Sequence, residues 1–325
     1  MKPWINIVAG LLLSGLCVAQ SAPPVEPKRP APPAPQSQET DSQDDTQTFR
    51  VNVKLVNIFT TVTDENGAPI GGLKKDDFTV YEDGELQKIA IFDRQSGLPL
   101  SIVLQIDSSL STRKDLPLEL ESARRFAQTI LRPVDAMSIY QFSDIVDEVQ
   151  GFTSNLRTLD RAIGRVQASG ATAVFDAVYL GAQALSKREG RKVLVIITDG
   201  GDTASHVDYG EALRAAQISE AIVYPIIMVP IEASAGRETG GEHALIQMSR
   251  DTGGRFYYAS SIRQLDQAFR EISDELRTQY LLAYYPPKSA HGDFRRLKVE
   301  VKSSAAPDTE MRARYRAGYY TSKID

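Results

Sequence analysis

At 325 residues, with 42% hydrophobic and 24% charged side chains, the chain has the length for two folded units and the composition of a globular protein. Its formal net charge of -5 argues against nucleic acid or an anionic membrane surface as the main partner. A single cysteine, Cys17, excludes an internal disulfide framework.

The first residues carry an address. Met1-Lys2 precedes an apolar run over 5–18, and Cys17-Val18-Ala19 and Ala22 offer small-residue processing sites. Residues 1–22 therefore read as a secretory signal peptide, too short for a comfortable membrane span, with an uncleaved anchor as the alternative. Gly15-Leu16 before the cysteine do not make a lipoprotein site, and Cys17 would leave with the signal. The expected destination is a bacterial periplasm or exterior. Residues 23–48 are Pro/Ala-rich and then acidic, a composition that cannot bury enough apolar surface to fold, and read as an extended linker.

Residues 49–97 read as an antiparallel β module. Val51, Val53 and Leu55 alternate with polar neighbours, 58–62 and 78–81 continue as strands, and Asp83-Gly84 marks a tight turn with 87–92 as the returning strand. Strands and helices then alternate over 98–278. Strands are expected at 100–106, 137–142, 146–152, 192–198, 222–228 and 255–258, and helices at 118–131, 156–166, 173–186, 209–219, 244–250 and 262–277. In the first helix, Leu118, Ala123, Phe126, Ala127 and Ile130 would form the inner face, with Glu119, Arg124 and Arg125 facing away. This alternation predicts an α/β fold, a doubly wound and mostly parallel sheet covered on both faces. Residues 279–325 return to strands: 280–285, a stretch with Leu297, Val299 and Val301 in alternation, and 311–320 with Arg312, Arg314 and Arg316 on a polar face. Too few to be stable alone, these strands are expected to pair with those of 49–97, giving a small β-sandwich that carries the α/β unit as an insertion.

Three stretches carry the chemistry. The buried strand at 100–106 ends in Asp107-Ser108-Ser109-Leu110-Ser111, the loop Gly170-Ala171-Thr172 precedes a helix, and the strand at 192–198 ends in Asp199-Gly200-Gly201-Asp202. In an open α/β sheet, ligands bind outside the carboxyl ends of the strands. Two aspartates and several hydroxyls released there suit a hard divalent cation such as magnesium.

Together these stretches resemble the metal-ion-dependent adhesion site of von Willebrand factor A domains, in order, strand context and separation. The resemblance covers 98–278. The flanking Asp77-Phe78-Thr79-Val80-Tyr81-Glu82-Asp83-Gly84 and Ala317-Gly318-Tyr319-Tyr320 resemble a bacterial group of secreted proteins related to this domain. The resemblance implies that Ser109, Ser111 and Thr172 bind Mg2+ (or Mn2+) directly, while Asp107 and Asp199 act through waters and hydroxyls. Such a cation would seek a Glu or Asp carboxylate from a partner protein. The helix at 262–277 occupies the position of an element whose shift is coupled to metal-site affinity in some relatives.

The expected function is therefore a non-enzymatic, exported binding protein for adhesion or envelope protein–protein interaction, with an assembly factor for an envelope or secretion complex as a variant. The competing reading is a metal-dependent hydrolase or phosphatase. Against it, His206, His243 and His291 lack zinc-site spacing, Ser109 has no evident histidine partner, and no phosphate-binding glycine loop occurs. Asp202 and His206 would lie on the rim of the site or serve as solvated loop residues, and Asp144 would line the same face or serve a turn. Tyr257-Tyr258 and Tyr284-Tyr285 read as packing aromatics.

Overall fold

A computed structural model describes residues 55–94, 97–229, 240–287, 292–302 and 310–321. The signal peptide and linker expected over 1–48, the strand start at Val51 and Val53, and His291 lie outside the described residues. No helix among the described residues is long and apolar enough to cross a membrane.

The central sheet has six strands: β5 (Leu100–Asp107), β6 (Ala136–Phe142), β7 (Val146–Thr153), β8 (Arg191–Thr198), β9 (Ala221–Met228) and β10 (Tyr257–Ala259). Their spatial order is β10-β9-β8-β5-β6-β7. All pairs are parallel except β6–β7, which is antiparallel. Burial of β5 along its whole length explains its near-continuous apolar sequence, since strands covered on both faces need not alternate. Side chains still alternate in destination. Ile102, Leu104 and Ile106 enter the core beneath α1 (Leu116–Ile130), α2 (Leu156–Ile163) and α6 (Ile262–Thr278). Val103 points the other way, to the core beneath α3 (Val174–Ser186), α4 (Tyr209–Ser219) and α5 (Gly240–Thr252). The expected doubly wound α/β architecture is what the structure shows.

The helix boundaries agree with the periodicity except at three places, one being helix α2, which ends at Ile163 rather than at 166. Helix α5 is longer than 244–250, beginning at Gly240. Helix α1 begins at Leu116, and its inner face is phased differently from the sequence reading. Leu118 is 53% exposed and Glu119 is 1% exposed. Leu116, Leu120 and Ala123 set the stripe, and at 100° per residue that stripe includes position 119.

The flanking strands form two four-stranded antiparallel sheets. Strand β1 (Val56–Thr63) pairs with β11 (Tyr280–Tyr284), and β2 (Phe78–Glu82) with β12 (Phe294–Val301), so strands from before and after the α/β unit share each sheet. Ile58, Val80, Tyr280, Leu282 and Val299 meet in the core between them. Asp83 and Gly84 both have positive φ, 50° and 90°, as the tight hairpin to β3 (Glu85–Gln87) requires. The stretch 87–92 is not one returning strand. Pairing of the returning chain with β2 stops with β3, and the chain then crosses to add β4 (Ile91–Arg94) beside β11 in the other sheet.

The stretch 311–320 divides in the same way. Strand β13 (Arg312–Arg314) pairs with β1, and β14 (Gly318–Tyr320) pairs with β12 in the opposite sheet. The two sheets thus run β13-β1-β11-β4 and β14-β12-β2-β3. The arginines of this stretch do not share one solvated face. Arg312 is exposed, Arg314 forms an ion pair with the buried Glu275 of α6, and Arg316 pairs with Glu220 at 3.2 Å.

Candidate metal-binding site

From β5 the chain proceeds to β6 on one side and later to β8 on the other, so the crevice at the carboxyl ends of β5 and β8 is a topological switch point. Asp107, the last residue of β5, is fully buried there. Its Oδ1 accepts a hydrogen bond from the Ser109 backbone N–H at 2.8 Å, and its Oδ2 accepts one from Thr198 Oγ1 at 2.6 Å. Burial outweighs these hydrogen bonds and pushes the Asp107 carboxyl up to about 6. Ser109 Oγ and Ser111 Oγ lie 2.9 Å apart, so two hydroxyl oxygens of the same loop converge. The turn that brings them together is held by Thr112, whose Oγ1 donates to the carbonyls of Asp107 and Ser109 at 3.1 and 3.0 Å.

Backbone hydrogen bonds lace the three predicted loops into one surface. Ser169 N donates to Ser108 O at 2.7 Å and Leu110 N to Gly170 O at 3.2 Å, joining the first loop to the second. Thr203 N and Ala204 N donate to Thr172 O at 2.8 and 3.0 Å, joining the second to the third. Thr198 Oγ1 accepts from Gly200 N at 3.1 Å while donating to Asp107, so the third loop is tied back to the first. Asp199 lies close enough for its charge to act on Asp107, and its Oδ1 faces the Gly201 N–H at 3.4 Å. The structure therefore brings the loops of Asp107, Ser109, Ser111, Thr172 and Asp199 together.

Two glycines make the close approaches possible. Gly170 has φ +61°, and a Cβ there would fall 1.9 Å from Asp144 Oδ1. A Cβ on Gly241, in the first turn of α5, would fall 2.1 Å from Gly200 O, so that helix abuts the loop carrying Asp199.

The weaker candidates resolve into local roles. Asp202 caps α3 from a neighbouring loop, its Oδ1 accepting from Val174 N at 2.8 Å and from Ser205 Oγ at 2.5 Å. That helix has Ala173 at its own N-cap and no side-chain cap of its own, which explains the borrowed carboxylate. His206 is exposed and its Nδ1 lies 3.0 Å from Asp176 Oδ2. Asp144 is exposed and accepts from Ser143 Oγ at 3.0 Å. Tyr257 is buried, whereas Tyr258 is about half exposed and donates to Glu242. Tyr284 is buried in the sandwich core, donating to Glu82, and Tyr285 is exposed.

Two residues beside the site escaped the sequence reading. Thr198 fixes the Asp107 carboxylate, and a threonine ending a buried strand directly before an aspartate was the available signal. Glu119 is the other. Both of its carboxylate oxygens are buried without a hydrogen-bond partner among the described residues. Burial, reinforced by the negative charges of Asp107, Asp115 and Asp199, pushes its carboxyl up to about 8. The donor set of the crevice is thus wholly oxygen, partly anionic and partly neutral hydroxyl, and Glu119 lies within electrostatic reach of it. That chemistry fits a hard divalent cation, which Ser109, Ser111, Thr172, Asp107 and Asp199 could hold.

The fold and this crevice define an α/β domain with a carboxyl-end oxygen cluster. Residues 102–201 match the von Willebrand factor type A domain model. The structure is similar to a von Willebrand factor type A protein from Catenulispora acidiphila, with 11% identity and a TM-score of 0.50 over 83% of this chain and 75% of that one. It is also similar to the vWF domain of the type V pili tip protein Mfa5 from Porphyromonas gingivalis, with 12% identity and a TM-score of 0.44 over 55% of this chain and 94% of that one. For the PilB minor pilin from Streptococcus sanguinis, identity is 13% and the TM-score 0.45, and the match spans 56% of this chain and 62% of the pilin chain. No curated protein matches the chain.

Proposed function

We propose that this chain is an exported binding protein rather than an enzyme, and that its von Willebrand factor type A domain captures an acidic side chain of a partner protein through a Mg2+-dependent site. Ser109, Ser111 and Thr172 would hold the cation directly, and Asp107 and Asp199 would orient its waters. The cation, when bound, supplies an open coordination position for a carboxylate. The chain's own residues do the rest. Thr198 and the Ser109 amide hold the Asp107 carboxylate in one orientation. The hydrogen-bonded loops keep the hydroxyls converged before any partner arrives, which limits the ordering cost of binding.

The observation that carries this reading is the lacing of three loops around the ends of β5 and β8, with converging hydroxyls beside a buried aspartate. The direct test is affinity capture from an envelope extract with the intact protein, Asp107→Ala and Thr172→Ala, each with Mg2+ and with EDTA. Partner recovery should need Mg2+ and fail with both variants while their circular dichroism stays that of the wild type. Recovery of the same proteins by all three, with or without chelator, would refute the proposal.

A further inference from the structure

The inner stripe of α1 is built from Leu116, Leu120, Ala123, Phe126 and Ile130, with Glu119 set among them. Packing alone would place an apolar side chain there, because a buried carboxylate without a partner is among the most unfavourable groups a core can hold. Neither oxygen of Glu119 has access to water or a hydrogen-bond partner among the described residues. The charges that act on it, from Asp107, Asp115 and Asp199, are all negative. The arginines of its own helix are engaged elsewhere. Arg124 pairs with Glu121 and with Asp160 of α2, and Arg125 pairs with Glu121 and with Asp266 of α6. Glu119 is therefore an unpartnered buried carboxyl within electrostatic reach of the two aspartates of the crevice, with no basic side chain among the described residues paired to it.

The geometry points to Glu119 as a positioning residue of the cation site, a third carboxylate that balances the charge of a divalent ion held by the Ser109–Ser111 loop without being a direct ligand. The assignment rests on the metal-site reading above and extends it to a residue outside the loop motifs. No hydrogen bond joins Glu119 to Ser109 or Ser111, which places its action through the ion's field and ion-bound water. Outer carboxylates of this kind raise metal affinity and leave a coordination position open for an incoming group.

The test is calorimetric titration of Mn2+ and Mg2+ into the full chain for the wild type, Glu119→Gln and Glu119→Leu, with thermal melts of each in EDTA. Both variants should bind Mn2+ about 10–100-fold more weakly than the wild type. Glu119→Leu, which completes the apolar stripe, should melt higher than the wild type in EDTA, and Glu119→Gln gives the binding comparison at unchanged side-chain shape. Binding within about twofold of the wild type in the variants overturns the assignment while leaving the cation site intact. A leucine variant that melts below the wild type in EDTA also overturns it, because the carboxylate would then be holding the fold. No cation binding by the wild type overturns both this assignment and the reading on which it rests.

Discussion

Replacing Arg314 with methionine removes the cation from an ion pair that joins the two parts of the folded chain. Arg314 lies on β13 of the sandwich and Glu275 on α6 of the α/β domain. Glu275 is 3% exposed. Its Oε1 accepts from Tyr224 Oη at 2.7 Å and Thr61 Oγ1 at 3.2 Å, and its Oε2 faces the Arg314 guanidinium. Burial works against the charge on Arg314, but the Glu275 carboxylate outweighs it and raises the arginine above its ordinary value. With the arginine gone, two neutral hydroxyls remain to support a buried anion. Breaking a buried pair by deleting one partner costs about 3–5 kcal/mol. The Arg314 side chain keeps 26% of its surface exposed, so water can reach the vacated side and the lower end of that range, about 3 kcal/mol, applies. Urea unfolding followed by far-ultraviolet circular dichroism at pH 7 should show this loss, with Tm falling by about 6–12 °C. Adding Glu275→Gln should recover most of it, since a buried pair exchanged as a whole is close to neutral. A loss below about 1 kcal/mol for Arg314→Met, or no recovery in the double variant, would refute the reasoning.

Three further outcomes are expected. Saturating Mg2+ or Mn2+ should raise Tm and EDTA should reverse the rise, with a gain of about 2.7 kcal/mol at a hundredfold excess over Kd; equal melting in both conditions would count against a cation site. Because Glu119 has a raised carboxyl in the folded chain, the folded state holds a proton that the unfolded state releases, and stability in EDTA should fall as pH rises from about 4.5 to about 8. Melts of the wild type against Glu119→Gln across that range isolate this contribution, and parallel curves would show that Glu119 does not titrate in the window. Turnover assays with phosphoester, peptide and glycoside substrates should show no metal-dependent activity, whereas activity lost in Asp199→Ala would favour a hydrolase.

The central sheet was legible because β5, β8 and β9 are long, mostly apolar runs, and their burial is set by composition rather than by any single contact. Both aspartates of the site follow from the same fact, since each marks where such a run meets the crevice. What misled the sequence reading was phase. Leu118 is hydrophobic and Glu119 charged, so a face drawn by residue type puts the wrong one inside, whereas geometry anchored on Leu116 and Leu120 does not. Sheet membership in the sandwich was illegible for a different reason. Between Arg314 and Gly318 the chain changes partner from β1 to β12, and no glycine or proline over 315–317 announces the change. The capping role of Asp202 depends on a helix encoded nearly thirty residues earlier, and no local pattern carries that pairing.

One junction has mechanical weight. Helix α6 ends at Thr278 and strand β11 begins at Tyr280, so only the buried Gln279 separates them. Strand β11 is flanked by β1 and β4, and is thus an interior strand of its sheet. A helix anchored so tightly to an interior strand has no slack with which to travel along its own axis. An axial pull on α6 is passed directly to β11, which hydrogen bonds to β1 and β4 resist on both sides, so the second layer of the molecule works against such a shift.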